Sequence, residues 1–270
     1  MNTSLYIVKI GGNIIDDEAK LSLFLKDFAA IEGKKILVHG GGKLATKLAE
    51  QLKIPQQVID GRRITDIETL KIVTMVYAGF INKNIVAKLQ ASSCNTIGLT
   101  GADGNTILAH KRSANNPPTG GEPGIDYGFV GDIDAIDVDL IHTLLEKNIA
   151  LVFAPITHNQ QGQLLNTNAD TIAQELAKGL SKDYDVTLVY SFEKAGVLMD
   201  INDDSTVIPT LNPEKYSQLK SRQKIVEGMI PKLDNAFSAL SSGVKKVIVG
   251  KAENLKELIA GTSGTSIIND

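Results

Sequence analysis

Tyr6-Ile-Val-Lys-Ile-Gly-Gly-Asn13 is the stretch on which the reading of this chain turns. Tyr6 to Ile10 is a short apolar run with β-branched residues, broken only by Lys9, and it reads as a buried parallel strand. Gly11 and Gly12 follow at once. Glycine permits positive φ and lets a ligand come close to the backbone N–H groups. A lysine at the end of a core strand is costly to bury unless an anion meets it. It can instead carry its ammonium out to water along a buried stem. This stretch alone does not choose between the two.

The pattern returns at Ile36-Leu-Val-His-Gly-Gly-Gly-Lys43, where a second apolar strand runs into Gly40, Gly41 and Gly42. Leu44, Ala45, Leu48, Ala49 and Leu52 follow at helical spacing. A glycine turn that opens a helix presents free N–H groups and the positive end of the helix dipole, which is an anion site. Two such turns in the first 45 residues point to one large polyanionic ligand gripped from two sides.

Composition narrows the class. With 270 residues, 43% of them hydrophobic and 22% charged, the chain can build one large α/β domain or two fused lobes. A net charge of −3 argues against nucleic acid or a membrane surface as the main partner. The single cysteine, Cys94, rules out a disulfide framework and fits a reducing cytoplasm. His39, His110, His142 and His158 do not fall at metal-ligand spacing, so no metal site is expected. No apolar run is long enough to span a bilayer, and the first residues lead into a strand with no signal-peptide pattern. The expected location is therefore the cytoplasm.

Strands alternate with helices along the whole chain. Helices are expected at 18–31, 44–52, 67–91, 138–145, 167–180, 213–219, 230–240 and 255–259. Strands are expected at 6–10, 36–38, 96–99, 150–153, 186–190 and 244–249. Such alternation means a mostly parallel sheet covered on both faces. Asp60-Gly61 is flanked by extended residues and reads as a hairpin turn. Residues 105–134 read as short antiparallel strands carried on the main sheet, with a loop at Asn115-Asn-Pro-Pro-Thr-Gly-Gly121. A division near Gly179 gives an N-terminal lobe over 1–179 and a C-terminal lobe over 180–270.

Several familiar sites fail on spacing. Lys43 lacks the glycine six residues before it and the Ser or Thr after it that a P-loop needs. No Gly-x-Gly-x-x-Gly follows a strand, which weakens a dinucleotide site. His39-Gly-Gly-Gly42 matches an esterase oxyanion loop, but no Gly-x-Ser-x-Gly elbow accompanies it. Leu165-Asn-Thr-Asn-Ala-Asp170 opens a helix, where Asn168 reads as a cap. Gly228-Met-Ile-Pro-Lys232 places a lysine on the first turn of a helix, against the dipole, where an anion suits it.

Taken together, Lys9-Ile-Gly11-Gly12, His39-Gly-Gly-Gly42, Gly61-Arg-Arg63-Ile-Thr-Asp66, Leu165 to Asp170, Gly228 to Lys232 and Gly264-Thr265 resemble the N-acetylglutamate kinases of the amino acid kinase superfamily. The resemblance covers essentially the whole chain, with the motifs in the family's order. It implies a three-layer α/β/α sandwich around a mostly parallel central sheet. The N-terminal lobe would bind the acylated glutamate and form the dimer, and the C-terminal lobe would bind ATP with the Mg²⁺ that the nucleotide carries. The implied reaction is phosphorylation of the γ-carboxylate, the second step of arginine biosynthesis.

By the same resemblance Lys9 and Lys232 flank the transferring phosphoryl group, and Asp170 sits between them. Gly11, Gly12 and Gly41 donate backbone N–H bonds to the phosphates and the transferring group. Gly41 and Gly42 shape the substrate end of that loop. Arg63 takes the α-carboxylate, and Asn166 holds the same end. The chain departs from the family's pattern at Arg62, where Leu is common, and at Ser191-Phe-Glu-Lys-Ala-Gly196, where Glu193 stands in place of an Asp. Arg62 is thus a candidate acyl-group reader, and N-succinylglutamate an alternative substrate. More distant alternatives are a carbamate- or aspartate-using kinase and a non-catalytic amino-acid-binding regulator on the same fold. The first strand starts about four residues in, which leaves no room for the helix that links dimers into arginine-controlled hexamers. A homodimer insensitive to arginine, joined through 67–91, is the expectation.

Overall fold

The apolar runs become strands and the 3.6-periodic stretches become helices in a computed structural model, which describes residues 3–59, 62–114, 124–192, 194–200, 202–222, 225 and 229–269. By its contacts the chain forms two units, Met1–Leu37 with Ala173–Asp270, and Val38–Ile172. The change from one unit to the other at 172–173 and Gly179, where the sequence suggests a division, both lie within the helix Ala169–Leu180. The first 37 residues group with the C-terminal part because the first strand finds its hydrogen-bond partner there.

In the first unit the strand Thr3–Ile10 pairs in parallel with Tyr184–Phe192, from Thr3 opposite Tyr184 to Lys9 opposite Tyr190. Tyr184–Phe192 pairs in parallel with Lys246–Lys251 on its other side. Two short strands that the sequence does not signal finish this edge: Thr265–Ile267, antiparallel to Lys246–Lys251, and Thr210–Leu211, parallel to Thr265–Ile267. Leu5, Ile7, Val8 and Ile10 are fully buried, as a strand covered on both faces requires. The helix Glu18–Ala29 is capped by Asp17, whose carboxylate accepts from the N–H groups of Ala19 and Lys20 at 3.0 Å each. Its Leu21, Phe24, Leu25 and Phe28 fall on one face and are buried, each contributing about 1.5–3 kcal/mol of transfer free energy.

In the second unit Thr96–Leu99 and Ala150–Phe153 are parallel neighbours. Ile107–Lys111 and Gly131–Ile136 are antiparallel, as expected, but they are not carried on the main sheet. They belong to a separate four-stranded sheet with Ile156–His158 and Leu164–Asn166. Two contacts draw them there: Leu108 is in register with His158, and the Gly101 N–H donates to the Ile156 carbonyl at 2.8 Å. Val58–Ile59 pairs with Arg62–Arg63 as a hairpin, while its turn residues 60 and 61 lie outside the described residues. So do the loop at 115–121, Glu193 and Gly228.

The long helical stretch is continuous but not uniform. Ile67–Val73 and Asn82–Ala91 are α-helical, and Thr74–Ile81 between them is a π-helix. A π-turn bonds i to i+5, so residues five apart share a face. Burial follows that spacing: Val76 and Ile81 are both buried, while Met75 and Phe80 are both exposed, at 54% and 64%. Of the residues expected at a dimer seam, Ile72, Val76 and Ile81 are therefore already covered within this chain.

Gly264 joins the last helix to the last strand of the first unit at φ +74, and a Cβ there would lie 2.3 Å from Leu258 Cδ2 and 2.7 Å from the Val249 carbonyl oxygen. Both the left-handed backbone and the contact oppose a side chain. Gly264→Ala is expected to lower the unfolding free energy by about 1–3 kcal/mol in urea titration. An unchanged midpoint would mean that the turn relaxes at no expense.

Candidate functional site

A cavity of about 650 Å³ opens at the start of the helix Gly42–Gln51, lined by Gly40, Gly41, Gly42, Arg62, Arg63 and Asn166 among others. All its lining residues belong to the second unit. Gly41 is the N-cap, at φ +152, and only glycine fits. A Cβ there would stand 2.3 Å from Ile81 Cδ1 and 3.1 Å from the Tyr77 ring. The turn is thus pressed against the π-segment, and its backbone forms one wall of the cavity.

Arg63 is positioned by a set of uncharged acceptors. Its guanidinium donates to Gln56 Oε1, to the Gly42 carbonyl at 3.0 Å and to Thr46 Oγ1 at 2.8 Å. The Tyr77 hydroxyl is also hydrogen-bonded to it, and burial raises that phenol's pKa above the usual 10. Neutral acceptors orient a guanidinium without cancelling its charge, which leaves it suited to a carboxylate. Asn166 ends the strand Leu164–Asn166 and donates from Nδ2 to Thr65 Oγ1 at 3.1 Å. Thr65 in turn donates to the Arg63 carbonyl at 3.0 Å and is fully buried. One buried threonine therefore ties the arginine strand to the asparagine strand.

One pair in the cavity lining carries no sequence signal. Arg112 and Asp132 form a buried ion pair in its lining, 2% and 4% exposed, with Nε 3.2 Å from both carboxylate oxygens. Removing either partner strands the other charge in the interior, at a penalty of about 3–5 kcal/mol. Beneath the glycine turn, His39 is fully buried, with Nδ1 2.8 Å from the Gly40 carbonyl and Nε2 3.3 Å from Asn82 Nδ2. The carbonyl can only accept, so Nδ1 bears the proton and Nε2 accepts from the Asn82 amide. That amide also donates to the Val152 carbonyl at 2.9 Å, which fixes its orientation.

Of the other sequence-derived candidates, Asn168 lines this cavity, and Asp170 stands between its lining residues Ala169 and Thr171. Lys9, Gly11 and Gly12 lie together in the first unit. A Cβ on Gly11 would come 3.9 Å from Lys9 Nζ. Gly11 is extended, at φ −102, so its glycine gives clearance beside the lysine and not the positive φ that the sequence suggests. Lys232 is the third residue of the helix Ile230–Ser241 and is exposed. Asp170 is the second residue of the helix Ala169–Leu180. Asn168 caps that helix, accepting from the N–H groups of Asp170 at 2.8 Å and Thr171 at 3.2 Å.

Comparison with known proteins shows the family. Residues 4–251 match the model of the amino acid kinase family. The chain is 55% identical to the acetylglutamate kinase of Cytophaga hutchinsonii over 98% of each chain. It is 53% identical to that of Bacteroides fragilis over 92% of each. Among solved structures it superposes on a carbamate kinase from Giardia lamblia at a TM-score of 0.69 and 15% identity, over 100% of this chain and 99% of that one. The last likeness concerns the fold alone.

Burial lowers the pKa of His39 from the usual 6.5 to about 4, opposed by its bond to the Gly40 carbonyl and assisted by the charge of Lys83. In the unfolded chain the ring takes up a proton near pH 6.5, while in the folded chain it resists until about pH 4. Its contribution is therefore complete above pH 6.5 and lost progressively as the pH falls towards 4, by roughly 3 kcal/mol in all. The His39 ring is expected to stay neutral at pH 5 by NMR, and His39→Gln to lose less stability than wild type between pH 6.5 and 4. A midpoint near 6.5 would contradict the buried neutral ring.

Proposed function

The chain belongs to the acetylglutamate kinases of the amino acid kinase family, and we propose that it transfers the γ-phosphoryl group of ATP to the γ-carboxylate of N-acetylglutamate, the second step of arginine biosynthesis. The observation that carries this reading is Arg63, oriented by uncharged acceptors beside a glycine turn at a helix N-terminus. The guanidinium suits the α-carboxylate, and the turn's N–H groups suit the charge that develops at the other end of the substrate. The γ-carboxylate is ionised at neutral pH and needs no general base. Positioning and charge neutralisation are what phosphoryl transfer demands.

In this reading Lys9 and Lys232 offset charge on the transferring group, with Asp170 as the third charged member of the machinery. Gly11, Gly12 and Gly41 donate backbone N–H bonds to phosphate oxygens, and Gly42 and Asn166 hold the acylglutamate. ATP enters as its Mg²⁺ complex. Among the described residues no group of three His, Cys, Asp or Glu is placed to hold a metal ion. A non-catalytic regulator would have no use for Lys9, Asp170 and Lys232 together. No described helix is long and apolar enough to cross a membrane, and a biosynthetic kinase of this kind would work in the cytoplasm.

ADP release measured with and without N-acetylglutamate tests the reading: turnover that requires the acylated amino acid supports it, and acceptor-independent or absent turnover refutes it. Lys9→Ala and Lys232→Ala should each lower kcat by about a hundredfold or more, with a smaller change in KM for the acylglutamate. Wild-type turnover in either variant would remove that lysine from the mechanism.

A homodimer is part of the proposal. Ile67, Met75 and Phe80 are exposed on the long helix at 47%, 54% and 64%, and a second copy of the chain would cover them. The double variant Met75→Asp, Phe80→Asp should sediment at half the mass of the wild type. An unchanged mass would place the contact elsewhere.

A further inference from the structure

Lys232 stands where a helix is least secure. It is the third residue of the helix Ile230–Ser241. Met229, at the cap, supplies no side-chain hydrogen bond, and the first turn holds no acidic residue. The N–H groups of a first turn have no acceptor within the helix, and the positive end of the dipole opposes a lysine there. Helix ends fray at little expense in free energy. A lysine that must meet a transferring phosphoryl group therefore needs the start of its helix held from outside.

Two neighbouring helices supply that hold, just after Lys232. From Pro213–Ser221 comes the buried Tyr216, whose hydroxyl lies 2.7 Å from Asp234 Oδ1 and 3.4 Å from the Ile230 carbonyl oxygen. The phenol has one proton to give, and the nearer, charged carboxylate takes it. Lys220, one turn further along the same helix, places Nζ 3.1 and 3.2 Å from the two Asp234 carboxylate oxygens and 5.2 Å from the centre of the Tyr216 ring. That ring also stacks on Phe237, centroid to centroid 5.0 Å. From Ala169–Leu180 comes Gln174, also buried, which donates from Nε2 to the Asn235 carbonyl at 3.2 Å. Each residue of an α-helix turns it by about 100°, so Lys232 and Asp234 leave it on nearly opposite sides. Drawing Asp234 onto Tyr216 thus turns Lys232 away from Pro213–Ser221. The Lys220–Asp234 pair is half-exposed and adds little to the stability of the whole chain. What the cluster sets is the rotation of one helix.

Resting on the role of Lys232 proposed above, we infer that Tyr216 and Asp234 are positioning residues for phosphoryl transfer: their bond fixes the rotation of Ile230–Ser241 and with it the direction from which Lys232 reaches the transferring group. They act through the lysine and not on the substrate. Displacement of a charge-bearing group by about 1 Å is enough to slow a reaction by some two orders of magnitude, so a contact of small worth to folding carries a large effect on rate.

The test uses Tyr216→Phe, which removes the hydroxyl and keeps the stacked ring, and Asp234→Ala, which removes its acceptor. Each is expected to lower kcat by about ten- to a hundredfold while KM for N-acetylglutamate stays within about twofold of wild type. The decisive measurement repeats Tyr216→Phe in a Lys232→Ala background. With no lysine left to misplace, the second substitution is expected to change kcat by less than about twofold, a failure of additivity that a residue acting by itself would not show. Wild-type kcat in both single variants overturns the inference, even with a lowered Tm, because the cluster would then serve stability alone. A full further loss in the Lys232→Ala background also overturns it, since Tyr216 would then act by another route. Either result, obtained with a wild-type enzyme whose turnover requires N-acetylglutamate, leaves the kinase reading standing. A wild-type enzyme without acceptor-dependent turnover sinks that reading and the inference with it.

Discussion

Parallel pairing between Thr3–Ile10 and Tyr184–Phe192 is the constraint from which the rest of the molecule follows. The two strands lie roughly 180 residues apart in sequence, and a parallel partner cannot be reached by a tight turn. The pairing therefore makes one unit out of the two ends of the chain and leaves 38–172 as a continuous insertion between them. It also sets what lies beyond the strand. Lys9 is held in register with Tyr190, and Gly11 and Gly12 emerge at the carboxyl end of a parallel strand, where open α/β sheets bind their ligands. The same geometry recurs in the second unit, where the strand ending at His39 delivers Gly41 and Gly42 to the cavity.

Elements with a well-buried apolar face were the easiest to read. Thr3–Ile10, Glu18–Ala29, Thr96–Leu99 and Ala150–Phe153 all fall where apolar periodicity puts them, since burial is what writes that periodicity. The small four-stranded sheet was harder. Ile156–His158 and Leu164–Asn166 are three residues each, too short for alternation to show, and they are recruited by long-range pairing. Thr265–Ile267 and Thr210–Leu211 escape for the same reason. Unit boundaries leave little mark on composition for another reason: linkers are what composition detects, and here the chain changes unit inside a strand and inside a helix.

At the cavity the sequence marks several of the lining residues better than it marks the residues that position them. Gly41, Gly42, Arg63 and Asn166 belong to recognisable motifs and line one space. Gln56, Thr46 and Thr65, which orient Arg63 and Asn166, are ordinary polar residues whose meaning lies in three-dimensional proximity. His39 is visible as a letter beside three glycines, yet its role as a neutral, buried strut depends on Asn82, which is 43 residues away. Arg112 and Asp132 are 20 residues apart across a hairpin, and nothing at either position marks them as a pair.

The π-helical turn over Thr74–Ile81 has a consequence for how this segment can vary over evolutionary time. An α-helix advances by about 100° per residue, so on an α-helical path residues five apart would point roughly 140° from one another. Met75 and Phe80 share a face because the π-turn takes up one surplus residue. Deleting a residue within the turn would return it to about 3.6 per turn and leave Asn82 in phase with His39 and the Val152 carbonyl. The flanking α-helices have no such slack, and a residue gained or lost there would swing everything after it by about 100°.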